Sequence, residues 1–229
     1  MNGILRTPLV TVLFVGAPTA TLRQADAAPE KRICLVCSVM EGTAEPEPVK
    51  VMRTHDGKEY GFCSEKCASA FAADPAAYLP PTFPRSAPAF ALADLGGQPL
   101  SNATLKGKIV LLDFWATWCA PCRKSMPELQ GLHDKFSQRG FVVVGISIDE
   151  NGLAEDGLAK VKKYVRAKKI RYPIALDSED NPAWDAFHVK AVPAAYLLDR
   201  EGRVVAQWTG KSPNATELEN QVEALLSAK

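Results

Sequence analysis

Six cysteines fall into three close pairs along 229 residues: Cys34 with Cys37, Cys63 with Cys67, and Cys119 with Cys122. The last pair sits in Trp118-Cys119-Ala120-Pro121-Cys122, directly after the apolar run from Ile109 to Trp115. Beyond it Leu129, Leu132 and Phe136 recur at helical spacing. A Cys-x-x-Cys where a strand meets a helix suits redox chemistry. Amides and the positive dipole end at a helix start stabilise a thiolate, so Cys119 is the expected nucleophile. Cys122, one turn on, is placed to attack the resulting mixed disulfide and release the product. The alternatives are a permanent bridge, which a helix terminus would leave reducible rather than inert, and half of a zinc site.

The other four cysteines present four sulfurs at short spacings, as a tetrahedral soft-metal site requires; zinc or copper(I) is the expected ion. Cys63 and Cys67, four residues apart, are expected on one face of a short helix. Two other readings stay open: paired structural disulfides, or a second redox pair that exchanges with Cys119 and Cys122. Met40 and His55 could add copper ligands, or could be ordinary packing and surface residues. A segment this short needs a metal or bridges to hold it.

Two carboxylates join the candidate site. Asp113 interrupts the apolar strand, and a buried carboxylate costs free energy unless it works or is paired. An edge-exposed, solvated position is the alternative. Glu150 follows the second apolar run, Phe141 to Ile148, in an acidic loop where plain solvation would equally explain it.

The elements that must position these groups divide the chain. Arg6, the apolar stretch Pro8 to Ala17 and the small-residue site Ala25-Asp26-Ala27 give 1–27 the character of a secretory signal peptide, or of an uncleaved N-terminal anchor. Export places the cysteines in an oxidising compartment, periplasmic or equivalent. Residues 31–79 form the cysteine-rich module, and the proline-dense 80–88 reads as a stiff linker. From 89 to 229 strand and helix signals alternate. Leu158, Val161, Tyr164 and Val165 mark an amphipathic helix, Tyr172 to Leu176 a short strand, and Asp199-Arg200-Glu201-Gly202 a hairpin turn; a last helix spans about 214–227. The fold class is α/β, a mixed sheet flanked by helices behind a small cysteine-rich unit. A net charge of +1 without basic runs argues against nucleic acid as a partner, and no apolar stretch has the length of a committed membrane span.

The order strand, Trp-Cys-x-x-Cys, helix, strand, helix, then Val192-Pro193 before a hairpin resembles the thioredoxin superfamily. Gly107 to Cys119, with Cys-Arg-Lys-x-Met-Pro-Glu-Leu after it, is similar to the TlpA/ResA branch, over residues 85–229. That resemblance implies an exported thiol-disulfide oxidoreductase serving cytochrome c maturation or copper delivery. Its clients carry oxidised cysteines, its electron donor is a membrane thiol reductant, and Cys119–Cys122 is its redox-active disulfide. It also implies that Asp113 assists proton movement at Cys122, that Pro193 is a cis-proline exposing backbone to a client strand, and that Glu150 lies near the active site. Pro121 matches the reducing end of the superfamily, where potentials lie near about −270 mV against about −120 mV for DsbA. Many relatives have asparagine in place of Asp113, and Ser125 stands where the branch commonly has glutamate, which removes whatever that acid contributes.

Cys-Leu-Val-Cys-Ser-Val-Met, Gly-Lys-Glu-Tyr-Gly-Phe-Cys-Ser-x-x-Cys and Phe-Ala-Ala-Asp-Pro-Ala-Ala-Tyr resemble the YHS/TRASH metal-binding modules. The match departs at Ser38, where glycine is usual. Cys34, Cys37, Cys63 and Cys67 are the metal ligands this implies. A metal chaperone or store that uses the larger domain as scaffold is the alternative function; peroxidase activity is a weaker one, opposed by the adjacent Cys-x-x-Cys.

Overall fold

The computed structural model describes residues 30–42, 45–149, 155–177, 180 and 182–228. The signal or anchor segment at 1–27 and Glu150 lie outside the described residues.

The N-terminal module runs β1 (Lys31–Ile33), α1 (Leu35–Glu41), β2 (Pro46–Pro48), β3 (Val51–His55), β4 (Lys58–Phe62) and α2 (Glu65–Ala73), followed by a single 3-10 turn at Pro75–Ala77. Strands β3 and β4 form a hairpin closed by Asp56-Gly57, both at positive φ, the conformation that an Asp-Gly turn adopts at least cost. Phe62, Ala68 and Phe71 are fully buried with Val36 and Tyr78, a core too small to hold the unit by itself.

The larger unit contains β5 (Arg85–Ser86), β6 (Ala91–Ala93), β7 (Pro99–Ser101), β8 (Ile109–Trp115), α3 (Ala120–Phe136), β9 (Phe141–Ser147), α4 (Glu155–Lys168), β10 (Ile174–Leu176), α5 (Ala183–Ala186), β11 (Ala194–Leu198), β12 (Arg203–Thr209) and α6 (Ala215–Ser227). Its six-stranded sheet has the order β10-β9-β8-β11-β12-β5. Strands β8, β9 and β10 are parallel, whereas β11, β12 and β5 pair antiparallel. Every residue of β8 and β9 is buried, as continuous aliphatic runs require of central strands covered on both faces. Alternation sends Ile109, Leu111 and Trp115 to the face covered by α3, α4 and α6. Val110, Leu112 and Phe114 go to the other face, under α5, Phe187 and the β6–β7 hairpin. The mixed sheet between helices is thus the one expected from the alternating strand and helix signals. The proline-dense stretch ends differently from a free linker, because Arg85–Ser86 pairs with Val204 and Arg203 of β12 and caps that sheet edge.

The module docks on the larger unit at two places. Asp74, at the end of α2, bonds His188 Nδ1 at 3.0 Å and Lys190 Nζ at 2.8 Å, in the segment leading to Pro193. Gly210, at positive φ after β12, lies so close to α1 that a Cβ there would stand 2.9 Å from the Val39 carbonyl oxygen. Among the described residues no helix is long and apolar enough to cross a membrane.

Candidate active site and cysteine cluster

Cys119 is the N-cap of α3, and its sulfur accepts a hydrogen bond from the Cys122 amide at 3.2 Å. This is the helix-start environment that favours a thiolate. Pro121 lies in the first turn, where its missing N–H leaves no bond unmade. Cys119 and Cys122 are joined as a disulfide, with Cα atoms 5.3 Å apart. Cys119 keeps 4% of its surface exposed and Cys122 none, while the neighbouring Trp118 is 64% exposed. The outer sulfur is therefore the one a client can reach. Val192-Pro193 is a cis peptide, and Val192 packs on the same hydrophobic cluster as both cysteines.

Ser125 is buried one turn into α3. It donates to the Cys122 carbonyl at 3.0 Å and accepts from Ser212 Oγ at 3.0 Å, tying the helix to the loop before α6. Beside that contact Pro121, Lys124, Glu128, Gly210 and Lys211 line a shallow groove of about 280 Å³. The serine thus has a structural use at the position where the resemblance led us to expect an acid.

Asp113 is fully enclosed on the α3 face of β8, between Gly145 of β9 and Ala195 of β11. Burial pushes its pKa up to about 7, and its Oδ2 has no hydrogen-bond partner among the described residues. A solvated edge position is excluded. Trp115, on the same face, packs against the cluster that holds both cysteines; Phe114 points to the opposite face.

Glu150 lies outside the described residues; its neighbour Asp149 is the carboxylate that the structure ties to the loop before Cys119. Asp149 is buried and accepts hydrogen bonds from the Thr117 amide at 2.9 Å, the Thr117 hydroxyl, and Ser147 Oγ at 2.6 Å. It thereby fixes the turn immediately before Trp118 and Cys119. Its place just past a fully buried strand was the available signal, shared with Glu150.

In the module the four remaining cysteines are unbridged, and their sulfurs all lie within 4.8 Å of one another. Cys37 to Cys63 is 3.4 Å, Cys37 to Cys67 3.8 Å, Cys34 to Cys63 3.7 Å and Cys63 to Cys67 3.6 Å. Four thiolates at about 2.3 Å around a tetrahedral zinc ion would stand about 3.8 Å apart, so the set fits such an ion. Cys34 is the N-cap of α1, and Cys67 lies in the first turn of α2, so two helix starts face the cluster. Cys63 lies outside the helix, at the end of β4, because Ser64 takes the N-cap role and accepts from the Cys67 amide at 3.2 Å. Burial works against a thiolate at Cys34, yet the amides and thiols of Cys37 and Cys63 bring its pKa below the ordinary value. Burial, with neighbouring thiols, raises Cys37 strongly and pushes Cys63 up to about 11. Without a cation the four sulfurs would not all ionise. His55 packs edge-on against Phe71, with ring centroids 5.7 Å apart, and does not join the cluster; Met40 is half exposed.

Comparison with known proteins agrees with this division. The AhpC/TSA family profile matches residues 84–207 and the YHS domain profile matches residues 50–82. The YHS match includes Cys63 and Cys67, and the fold brings Cys34 and Cys37 to them. Thiol-disulfide oxidoreductase ResA of Bacillus anthracis is 34% identical over 127 residues, covering 56% of this chain and 69% of that protein. ResA of Bacillus subtilis (strain 168) is 34% identical over 124 residues, covering 54% and 65% respectively. The crystal structure of a thioredoxin-family thiol:disulfide interchange protein from Chlorobium tepidum TLS matches with a TM-score of 0.55 at 28% identity, covering 65% of this chain and all of that one. A disulfide-bonded cysteine pair at a helix start, on a sheet of this topology and in this company, places the chain in the AhpC/TSA family as a ResA-like thiol-disulfide oxidoreductase that carries a YHS domain.

Proposed function

We propose that the protein is an exported thiol-disulfide reductase whose clients are cysteine pairs of metalloproteins or of apocytochrome c. The observation that carries this reading is the asymmetry of the Cys119–Cys122 pair: the first sulfur at a helix start keeps a little exposure, and the second is fully buried on the sheet face that also carries the Asp113 carboxylate. The Cys119 thiolate attacks a client disulfide, forming a mixed disulfide and expelling one client thiolate. Cys122 then yields its proton to Asp113 and attacks the Cys119 sulfur. The mixed disulfide breaks, the second client thiolate departs, and two electrons have passed to the client. A membrane thiol reductant restores the dithiol. Pro193 and the backbone beside it offer the client an extended partner.

Residues 31–79 and 89–229 act as two docked units joined through 80–88, of which Arg85–Ser86 belongs to the larger unit's sheet, with 1–27 directing export or anchoring the chain. Cys34, Cys37, Cys63 and Cys67 hold zinc or copper(I); such an ion would neutralise the thiolates and hold the small module together. Replacing Cys119 by Ser is expected to abolish reduction of insulin by the dithiol-charged protein while circular dichroism stays unchanged. Retained turnover would refute the reductase reading. The unbridged thiols favour a second reading, a copper or zinc chaperone, which requires stoichiometric metal transfer that survives Cys119→Ser.

A further inference from the structure

Four buried polar side-chain atoms lack partners among the described residues: Asp113 Oδ2, Trp115 Nε1, Tyr164 Oη and Tyr172 Oη. Unpaired groups of this kind are rare in folded proteins and each demands an explanation. These four are gathered rather than scattered. Gly145 is the cross-strand neighbour of Asp113, and a Cβ on it would stand 3.1 Å from Trp115 Nε1 and 3.3 Å from Tyr172 Cε2. The absent side chain is therefore what admits the indole and the phenol beside the carboxylate. The Tyr164 ring lies 5.5 Å from that of Trp115. Chemically the set is complementary: two hydroxyls and an indole N–H can donate, and a carboxylate oxygen can only accept once ionised.

We infer that Tyr172, supported by Tyr164 and Trp115, is a positioning residue for the proton step, its hydroxyl stabilising the Asp113 carboxylate that takes the Cys122 proton. The inference rests on the role proposed for Asp113. None of the four atoms bonds another directly; the coupling of Tyr172 to Asp113 is electrostatic, and burial strengthens it. Burial alone raises Asp113, so no counter-charge among the described residues competes for the role. Among the described residues, the titratable groups packed on the sheet face that Asp113 shares are Cys119 and Cys122 from α3, Tyr164 from α4 and Tyr172 from the segment before β10, with His133 of α3 against Tyr172. Gly145, Ala195, Leu218 and Val222 from β9, β11 and α6 bring none. Burial holds His133 below its ordinary pKa, and its Nδ1 accepts from the Val143 amide at 3.3 Å. Arg123 acts on Tyr164, not on Asp113.

The test is single-turnover reaction of the reduced, zinc-loaded full chain with one equivalent of 5,5′-dithiobis(2-nitrobenzoate), followed by release of the coloured thiolate and corrected for the module thiols with a Cys119→Ser, Cys122→Ser control. The first equivalent reports attack by Cys119. The second reports attack by Cys122, and its rate should rise with pH as Asp113 ionises. Donors to a charged carboxylate lower its pKa, so their removal raises it. Tyr172→Phe is therefore expected to move the midpoint of the second phase up by about one pH unit, leaving the first phase unchanged. Tyr164→Phe moves it in the same direction, and neither adds a shift in an Asp113→Asn background. A midpoint unmoved by Tyr172→Phe, where Asp113→Asn does alter the second phase, overturns this inference alone. A second phase insensitive to Asp113→Asn overturns the Asp113 reading and this inference with it.

Discussion

Replacing Asp113 by Asn should stabilise the oxidised protein, and should do so in a pH-dependent way whose sign follows from burial. A free aspartate titrates near 3.9, whereas enclosure on the α3 face pushes Asp113 up to about 7. The folded state thus holds a proton that the unfolded state releases between those values. Stability contributed by the protonated form is complete below about pH 4 and is lost as pH rises through 7. A gap of roughly three pKa units corresponds to about 4 kcal/mol, reached at a slope of about 1.4 kcal/mol per pH unit. Asparagine keeps the size and removes the titration. The difference between variant and parent in urea unfolding, followed by tryptophan fluorescence from pH 4 to 9, should grow over that window and level off above it. Keeping the Cys119–Cys122 disulfide intact prevents the thiols from titrating in the same range. A difference that is flat in pH, or that favours the parent at pH 8, would refute the assignment of Asp113 as an unpaired buried acid.

Three further outcomes follow from separate contacts. Zinc at about a hundredfold its dissociation constant should stabilise the module by about 2.7 kcal/mol, and Cys37→Ser should abolish that gain in calorimetry. Gly145→Ala should cost about 1–3 kcal/mol in urea unfolding, because the new methyl would stand 2.5 Å from Ile174 Cδ1 and press on Trp115 and Tyr172. Asp149→Ala leaves the Thr117 amide and hydroxyl and the Ser147 hydroxyl without their acceptor, which should lower stability by about 2–3 kcal/mol in the same assay.

The redox pair and its supporting elements were legible in the sequence because each carries a local signal. Continuous aliphatic runs mark β8 and β9, 3.6-residue periodicity marks α3, and a polar turn marks the β11–β12 hairpin. The β6–β7 hairpin carries no such signal: each strand has three residues with a single inward leucine, Leu92 or Leu100. Strand β5 hides in a proline-rich stretch and exists only because β12 offers an edge. The four module cysteines were visible as possible ligands, but their gathering depends on how β4 and α2 meet. Reading Cys63 into the helix failed because Ser64 competes for the cap. The polar set around Asp113 was invisible for a stronger reason. It is assembled by cross-strand register, with Gly145 opposite Asp113 and Tyr172 entering from beyond α4, and register is not written in any one segment.

The edge strand β5 changes what joins the two units. The chain stays packed on the module through Tyr78 and Leu79 and is fixed again at Arg85, so the tether is only residues 80–84, with prolines at 80, 81 and 84. Extended at about 3.1 Å per residue, such a segment reaches roughly 20 Å. A short leash of this kind holds its two ends at an effective concentration of the millimolar order. Any thiol freed in the module therefore meets the Cys119–Cys122 disulfide as a neighbour in the same molecule, at a rate that dilution of the protein does not change. The contacts at Asp74 and Gly210 add to that leash, so a free thiol in the module and the Cys119–Cys122 disulfide stay within one molecule, and a cation that occupies the four sulfurs would keep the two apart chemically.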